Sequence, residues 1–287
     1  MMLAAIDIGS NTVQLLLAEN KNGKIISRDN YIRTTRLGVM DKDNHITAAA
    51  IDATVLVIGE FKRLAKEANA AKVRILATSA VRDAVNREAL ITAIGKMIDQ
   101  PVEILSGEEE ALLSYKGARN LLDFPLGTPV LDVGGASSEL IYELGDGQIE
   151  TTSVNVGSVR MKQKDWSARK IYAMFASALS ARGASDFAIG IGGNITAAAG
   201  VIAGLTCFDR DAIEGMNLDR TQLIGLLQQI LPLSIEERCA LSPLLRKRGE
   251  IIEQGLQIWL TLTDILHFNK ITVCSGGILD GAIVDMV

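Results

Sequence analysis

Apolar residues at the start of the chain come in short blocks separated by small polar turns. Leu3 to Ile8 and Thr12 to Glu19 read as strands either side of Gly9-Ser10-Asn11, and Lys24 to Asn30 reads as a third strand after the turn Asn22-Gly23. The spacing then changes to that of a helix. Thr47 is placed as an N-cap, and Ile51, Val55, Ile58 and Leu64 predict the buried side of a helix reaching Ala70. Val73 to Ala77 is a short buried strand, and Thr78-Ser79 leads into a helix running to Asp99. Val102 to Leu105 is a further strand, and Ser106 opens a helix through Leu122, broken by Phe124-Pro125-Leu126-Gly127.

The pattern then restarts. Val130 to Val133 and Ser138 to Leu144 are strands around Gly134-Gly135-Ala136-Ser137, followed by a strand from Ile149 to Asn155 and helices from Asp165 to Arg182. Phe187 to Ile191 is a strand, and the rest is mostly helical until Ile271 to Cys274 runs into Ser275-Gly276-Gly277. Strands alternating with helices predict an α/β architecture. The opening DIGSNT recurs as DVGGASSE, with aspartates 125 residues apart (132 minus 7). That repeat predicts two similarly built domains, residues 1–125 and 126–287, facing each other across a cleft, with the last helix packing back on the first.

Composition narrows the class. A chain of 287 residues, 48% apolar and 22% charged, is globular and large enough for two cores. A net charge of −5 argues against nucleic acid held by bulk charge. Cys207, Cys239 and Cys274 lie far apart without metal spacing and read as small buried thiols, and His267 beside Leu266 and Phe268 reads as packing. Asp7 interrupts the N-terminal apolar run, so no leader peptide is expected and the cytoplasm is the expected compartment. Phe187 to Phe208 carries no charge, but its glycines and Asn194 favour strand, turn and buried helix over a membrane span.

The repeated loops suit phosphate. Glycines 9, 134 and 135 let backbone N–H groups approach an anion, and the hydroxyls of Ser10, Thr12, Ser137 and Ser138 add donors beside Asn11 and Ala136. Asp7 and Asp132 would repel phosphate unless a cation lies between, which favours Mg²⁺, with Asp132 and Glu139 the best carboxylates for it. Gly192-Gly193 and Gly276-Gly277 each follow a strand and precede a helix, a geometry that points N–H groups at an anion. Arg82, after Thr78 and Ser79, offers bidentate phosphate contacts or else pairs with Asp83 or Glu88. In SGEEEA, Ser106 and Glu109 form a capping box, whereas Glu110 shares a small polar stripe with Ser114 and Gly117, where a carboxylate can take a proton from water.

Taken together, IDIGSNT, ATSAVRDAVNR, ILSGEEEA, DVGGASSE and NVGSVRM resemble, in order and spacing, the exopolyphosphatase/guanosine pentaphosphate phosphohydrolase (Ppx/GppA) family. Arg248-Gly249-Glu250-Ile251 resembles that family's later R-A-D-x-I segment. The resemblance implies two actin-like (ribonuclease H-like) domains and hydrolysis of a terminal phosphoanhydride of inorganic polyphosphate or guanosine pentaphosphate. It implies Glu110 as the base that activates water, Arg82 as a phosphate contact, and Mg²⁺ on Asp132 and Glu139, with Asp7 nearby. Gly9 to Thr12, Thr78, Ser79, Gly134 to Ser138, Gly192 and Gly193 would cradle phosphates.

The chain departs from the pattern at Ala136 (usually Gly), Ser138 (Thr), Asn194 (Thr) and Leu279 (Arg). It ends at residue 287 without the further helical domains of longer members, which leads to an expected preference for short polyphosphates or a nucleotide. A weakly active nucleotide-binding sensor is the alternative, a kinase of the same superfamily a more distant one. No nucleic-acid or membrane partner is expected, and a homodimer is compatible with the Ala/Leu-rich helices of the second half.

Overall fold

The computed structural model describes residues 1–21, 24–98, 100–179 and 185–287. The turn at Asn22-Gly23 and the helix ends at Asp99 and Arg182 lie outside the described residues. The chain divides into two compact units, Met1–Asn120 with Ile278–Val287 as unit 1 and Leu121–Gly277 as unit 2.

Unit 1 is built on a five-stranded sheet, β3-β2-β1-β4-β5, of β1 (Met2–Ile8), β2 (Thr12–Lys21), β3 (Lys24–Thr34), β4 (Lys72–Ala77) and β5 (Val102–Ile104). β1 pairs antiparallel with β2 and parallel with β4, so the sheet is mixed. The near-continuous apolar run of β1 follows from burial on both faces. Ala4, Ile6 and Ile8 join Val13, Leu15 and Leu17 on one face, under α1 (Ala48–Glu67), α2 (Ser79–Arg82) and α3 (Arg87–Met97). Leu3 and Ala5 join Leu16 and Ala18 on the other, against α4 (Gly107–Leu121) and the last helix, Ile278–Val284.

Three details differ from the sequence pattern. The buried side of α1 is Ala50, Thr54, Ile58, Phe61 and Ala65, while Ile51, Val55 and Leu64 pack at its margins. The helix expected after Thr78 is broken into α2 and α3. Asn86 lies in the break, its side chain bonding both N and O of Ile46 (2.8 and 2.9 Å). β3 runs four residues further than expected, and its register with β2 shifts at Leu17/Ala18, the mark of a bulge.

Unit 2 repeats the plan. Its sheet runs β10-β11-β9-β6-β7-β8, from β6 (Val130–Val133), β7 (Ser138–Glu143), β8 (Ile149–Val154), β9 (Phe187–Ile191), β10 (Asn217–Asp219) and β11 (Lys270–Val273). β6, β7, β8, β9 and β11 match β1, β2, β3, β4 and β5 in order and direction, and β10 adds an antiparallel edge. The helices are α5 (Ser158–Gln163), α6 (Ala168–Ala178), α7 (Gly193–Ile202), α8 (Arg210–Ile213), α9 (Arg220–Ile230), α10 (Ile235–Leu241) and α11 (Ile252–Leu266). α5 and β10 are absent from the sequence reading because each is too short to show a period. Trp259 of α11 and Phe175 of α6 anchor the core. The uncharged Phe187–Phe208 stretch is β9, a turn and α7, and no described helix is long and apolar enough to cross a membrane.

Of the cysteines, only Cys274 is buried; Cys207 is exposed. His267 is exposed as well, in the left-handed conformation (φ 58°) that ends α11, rather than packed. The last helix, α12 (Ile278–Val284), is held on unit 1 by Leu279, Ala282 and Ile283, and Lys116 Nζ donates to Asp285 Oδ1 at 2.6 Å. Ile283→Ala removes a fully buried side chain there and is expected to cost about 2–5 kcal/mol in urea unfolding. An unchanged midpoint would show that this helix does not dock.

Candidate active site

The hairpin turn of unit 2 joins β6 to β7 through Gly134–Ser137, closed by Gly134 N donating to Ser137 O at 3.0 Å. The other three carbonyls of the turn, those of Gly134, Gly135 and Ala136, are taken from behind by the segment that leaves β8. Ser158 N donates to Gly134 O (3.1 Å), Val159 N and Arg160 N to Gly135 O (2.8 and 2.9 Å), and Arg160 Nε to Ala136 O (2.7 Å). No described peptide is cis, and in a trans peptide the C=O and the next N–H point opposite ways. The N–H groups of Gly135, Ala136 and Ser137 therefore face away from α5, and none donates to a described acceptor. Three such donors in a row form an anion nest.

Unit 1 uses the same device. Gly9 N donates to Thr12 O at 3.0 Å, and the segment leaving β3 takes the turn's carbonyls. Gly38 N donates to Ser10 O (2.7 Å), and Thr35 N and Arg36 N donate to Asn11 O (3.2 and 3.1 Å). Close approach explains the glycines that supply the support. A Cβ on Gly38 would lie 2.9 Å from Ser10 Cβ, and one on Gly157 would lie 2.5 Å from Gly135 O. Ser10, Thr12, Ser137 and Ser138 are buried, as are Thr78 and Ser79. Two of these hydroxyls are spent on the frame: Ser138 Oγ donates to Val156 O at 2.6 Å and Thr78 Oγ1 to Ile8 O at 3.4 Å.

The carboxylates are distributed unequally. Asp132 and Glu139 are direct partners across β6 and β7, both buried, and Ser153 Oγ donates to Glu139 Oε1 at 2.9 Å. Two like charges opposed on one sheet face repel each other, and burial increases the cost. A divalent cation resolves that, so this pair fits Mg²⁺. In unit 1 the matching pair is Asp7 and Gln14, with a single carboxylate (139 minus 14 is again 125). A separate group, Asp41, Asp43 and His45, brings three ligand atoms within 4.8 Å and could also hold a divalent ion. Asp41 and Asp43 are exposed there, and the backbone N–H of His45, donating at 2.9 Å, holds the Asp41 carboxyl below its usual range.

Arg82 and Glu110 meet directly. Arg82 Nη1 donates to Glu110 Oε1 and to Leu105 O (2.6 Å), and its Nε lies 3.8 Å from Asp83 Oδ1. The expected pairing with Asp83 is present, and a further, buried partner, Glu110, sits on α4, 28 residues away. Glu110, Ser114 and Gly117 are buried together on α4, as the polar stripe predicts. Glu109 instead caps the helix, accepting from Ser106 N at 2.8 Å, which lowers its pKa. That contribution is present above the ordinary carboxylate range and fades as pH falls through the lowered value.

The remaining glycine loops differ from each other. Ser275 N donates to Glu214 Oε2 at 3.1 Å, Ser275 Oγ bonds the same carboxylate, and Arg210 Nε reaches Ser275 Oγ at 2.6 Å. An internal carboxylate thus occupies that loop. Gly192 and Gly193 start α7 beside the unit 2 turn, where Asn194 Nδ2 donates to Ser158 Oγ at 2.9 Å and Ser158 Oγ to Gly134 O at 3.4 Å.

A family model described as the Ppx/GppA phosphatase family matches residues 16–287. The chain belongs to the Ppx/GppA phosphatase family. Its fold is similar to that of the Aquifex aeolicus PPX-GPPA enzyme, at 26% identity over 99% of both chains and a TM-score of 0.82. An exopolyphosphatase from Cytophaga hutchinsonii shares the fold at 21% identity and a TM-score of 0.89, over 100% of this chain and 99% of that one. A guanosine-5'-triphosphate,3'-diphosphate pyrophosphatase of Vibrio parahaemolyticus is 25% identical over 100% of this chain, which spans 59% of that protein's length. The two mixed sheets are those of the actin-like Ppx/GppA fold.

Within the family pattern, Ala136 is the departure that bears most on the loop, and its methyl is packed away (6% exposed) while its carbonyl is held by Arg160. Sequence reasoning missed the supporting role of TTRLG and GSVR. The shared signal was a glycine a few residues past the third strand of each unit. Gly157→Ala is expected to destabilise the protein by about 1–3 kcal/mol, since backbone must move, whereas exposed Gly145→Ala, with no neighbour within 4 Å, is expected to change little. Equal urea midpoints for the two variants would contradict the close support of the turn.

Proposed function

We propose that this chain hydrolyses the terminal phosphoanhydride of inorganic polyphosphate or of guanosine pentaphosphate with Mg²⁺. The observation that carries the reading is the run of three outward N–H groups at Gly135, Ala136 and Ser137, next to the Asp132–Glu139 pair. Mg²⁺ on that pair would neutralise phosphate charge and polarise the phosphoryl group. Asp7 with the Gly9–Thr12 turn, Thr78 and Ser79 offers further polar groups, and Gly192 and Gly193 an added anion site.

Glu110 orients a water and takes its proton as the water oxygen attacks the terminal phosphorus in line. The bond from phosphorus to the bridging oxygen breaks, and the shortened anion leaves with the electron pair. Arg82 stabilises the charge on the transferred group. Its Nη2 donates to no described residue, so it has a donor for phosphate while Nη1 holds Glu110 in place. The names borne by the relatives, an exopolyphosphatase and a guanosine pentaphosphate pyrophosphatase, support both substrate classes.

One observation favours a second reading, a nucleotide-binding sensor of the same fold. Glu110 is already engaged by Arg82, so its carboxylate has a structural role that needs no reaction. Phosphate release from tripolyphosphate, long-chain polyphosphate and guanosine pentaphosphate separates the two. The hydrolase reading expects Mg²⁺-dependent release that chelation abolishes and Glu110→Gln lowers about 100-fold or more. Equal rates for wild type and variant remove Glu110 as the base. Binding of the nucleotide by wild type without any release favours the sensor.

A further inference from the structure

The Asp132–Glu139 pair has a third neighbour one strand further out. β7 and β8 place Ser153 directly opposite Glu139, as β6 and β7 place Asp132 opposite it, so the three residues form one row across three strands. Leu131, Val133, Leu140 and Val154 alternate with them and belong to the core of unit 2, which puts the row on the other face of the sheet. Ser153 is exposed, whereas Glu139 and Asp132 are buried. An exposed serine ordinarily gives its hydroxyl to water. Here Oγ lies 2.9 Å from Glu139 Oε1, and an ionised carboxylate only accepts, so Ser153 is the donor.

Unit 1 shows what the hydroxyl accompanies. Its row is Asp7, Gln14 and Ile32, with an amide in place of the second carboxylate and an apolar side chain in place of the serine. The unit with two opposed carboxylates has the serine; the unit with one does not.

The bond has two consequences for a cation held by the pair. A glutamate must have its torsions fixed before it can ligate, and an anchored Oε1 supplies part of that order in advance. The bond also bears on the mode of ligation. Ca²⁺ readily takes a carboxylate by both oxygens within a flexible shell, whereas Mg²⁺ demands shorter bonds and near-octahedral geometry. Committing Oε1 to Ser153, on the β8 side, opposes the two-oxygen form.

We propose that Ser153 is a positioning residue that holds Glu139 as a one-oxygen ligand and so sets the preference of the Asp132–Glu139 pair for Mg²⁺ over Ca²⁺. The inference rests on the reading of that pair as the divalent-cation site. It needs no substrate and is tested without one.

The test is a Mn²⁺ titration of the full chain, read by the electron paramagnetic resonance of the free ion, with Mg²⁺ and Ca²⁺ as competitors. The site is the Mn²⁺ binding that Glu139→Gln removes, which separates it from Asp41, Asp43 and His45. Wild type is expected to prefer Mg²⁺. Ser153→Ala is expected to weaken Mg²⁺ binding about tenfold and Ca²⁺ binding less, so that the Mg²⁺/Ca²⁺ ratio falls. Ser153→Thr keeps the hydroxyl and is expected to keep the wild-type ratio. Because Ser153 is exposed, the urea midpoint of the metal-free protein is expected to change little in either variant. An unchanged ratio in Ser153→Ala overturns the proposal, and so does a Thr variant that behaves as the Ala one. A wild type without Glu139-dependent binding also overturns it. A lowered metal-free midpoint in Ser153→Ala with the ratio unchanged overturns it as well, since that marks a purely structural bond. Ser153-dependent selectivity in a chain that hydrolyses nothing leaves the proposal standing and removes the hydrolase reading. Mg²⁺-dependent hydrolysis with an unchanged ratio does the reverse.

Discussion

The candidate site depends on one hydrogen-bonding constraint: the carbonyls of a hairpin turn are captured from behind by the chain leaving the third strand. A peptide group cannot have both ends on one side, so fixing three carbonyls fixes three N–H groups facing the other way. At Gly134, Gly135 and Ala136 the captors are Ser158 N, Val159 N, Arg160 N and Arg160 Nε. The arrangement is preorganised, because the loop's own hydrogen bonds, rather than a ligand, hold the donors in place. Glycine is required at 157 because the supporting backbone comes too close for a side chain.

The two units carry the same frame with different chemistry. Both have five strands in matching order and a turn closed by a 3.0 Å bond from its first glycine. Unit 2 adds a second carboxylate, Glu139, where unit 1 has Gln14, and so has two carboxylates opposed across its hairpin. Unit 1 instead places the Glu110 carboxylate on α4 against the Arg82 guanidinium. The same frame therefore carries a carboxylate pair in one unit and a carboxylate–amide pair in the other.

Much of the fold was legible because its elements are long and periodic. β1, β2, β6, β7 and β9 fall where alternation and apolar blocks place them, since strands with both faces buried cannot hide their composition. Glu110 was legible from its polar stripe, as helical spacing alone puts it beside Ser114 and Gly117. Short or long-range features were not. The break between α2 and α3 accompanies a bond from Asn86 to Ile46, and Arg82 bonds Glu110 in addition to its expected neighbour Asp83. The support given by Gly38 and Gly157 involves contacts with residues about 20–30 positions away, which no local window contains.

The most direct test of the central claim is a crystal structure with Mg²⁺ and a methylene-bridged, non-hydrolysable phosphate analogue. The account predicts phosphate oxygens within about 2.7–3.2 Å of the N–H groups of Gly135, Ala136 and Ser137, with their carbonyls still on Ser158, Val159 and Arg160. An analogue bound away from this turn, or a turn whose carbonyls have rotated to face the ligand, would contradict it.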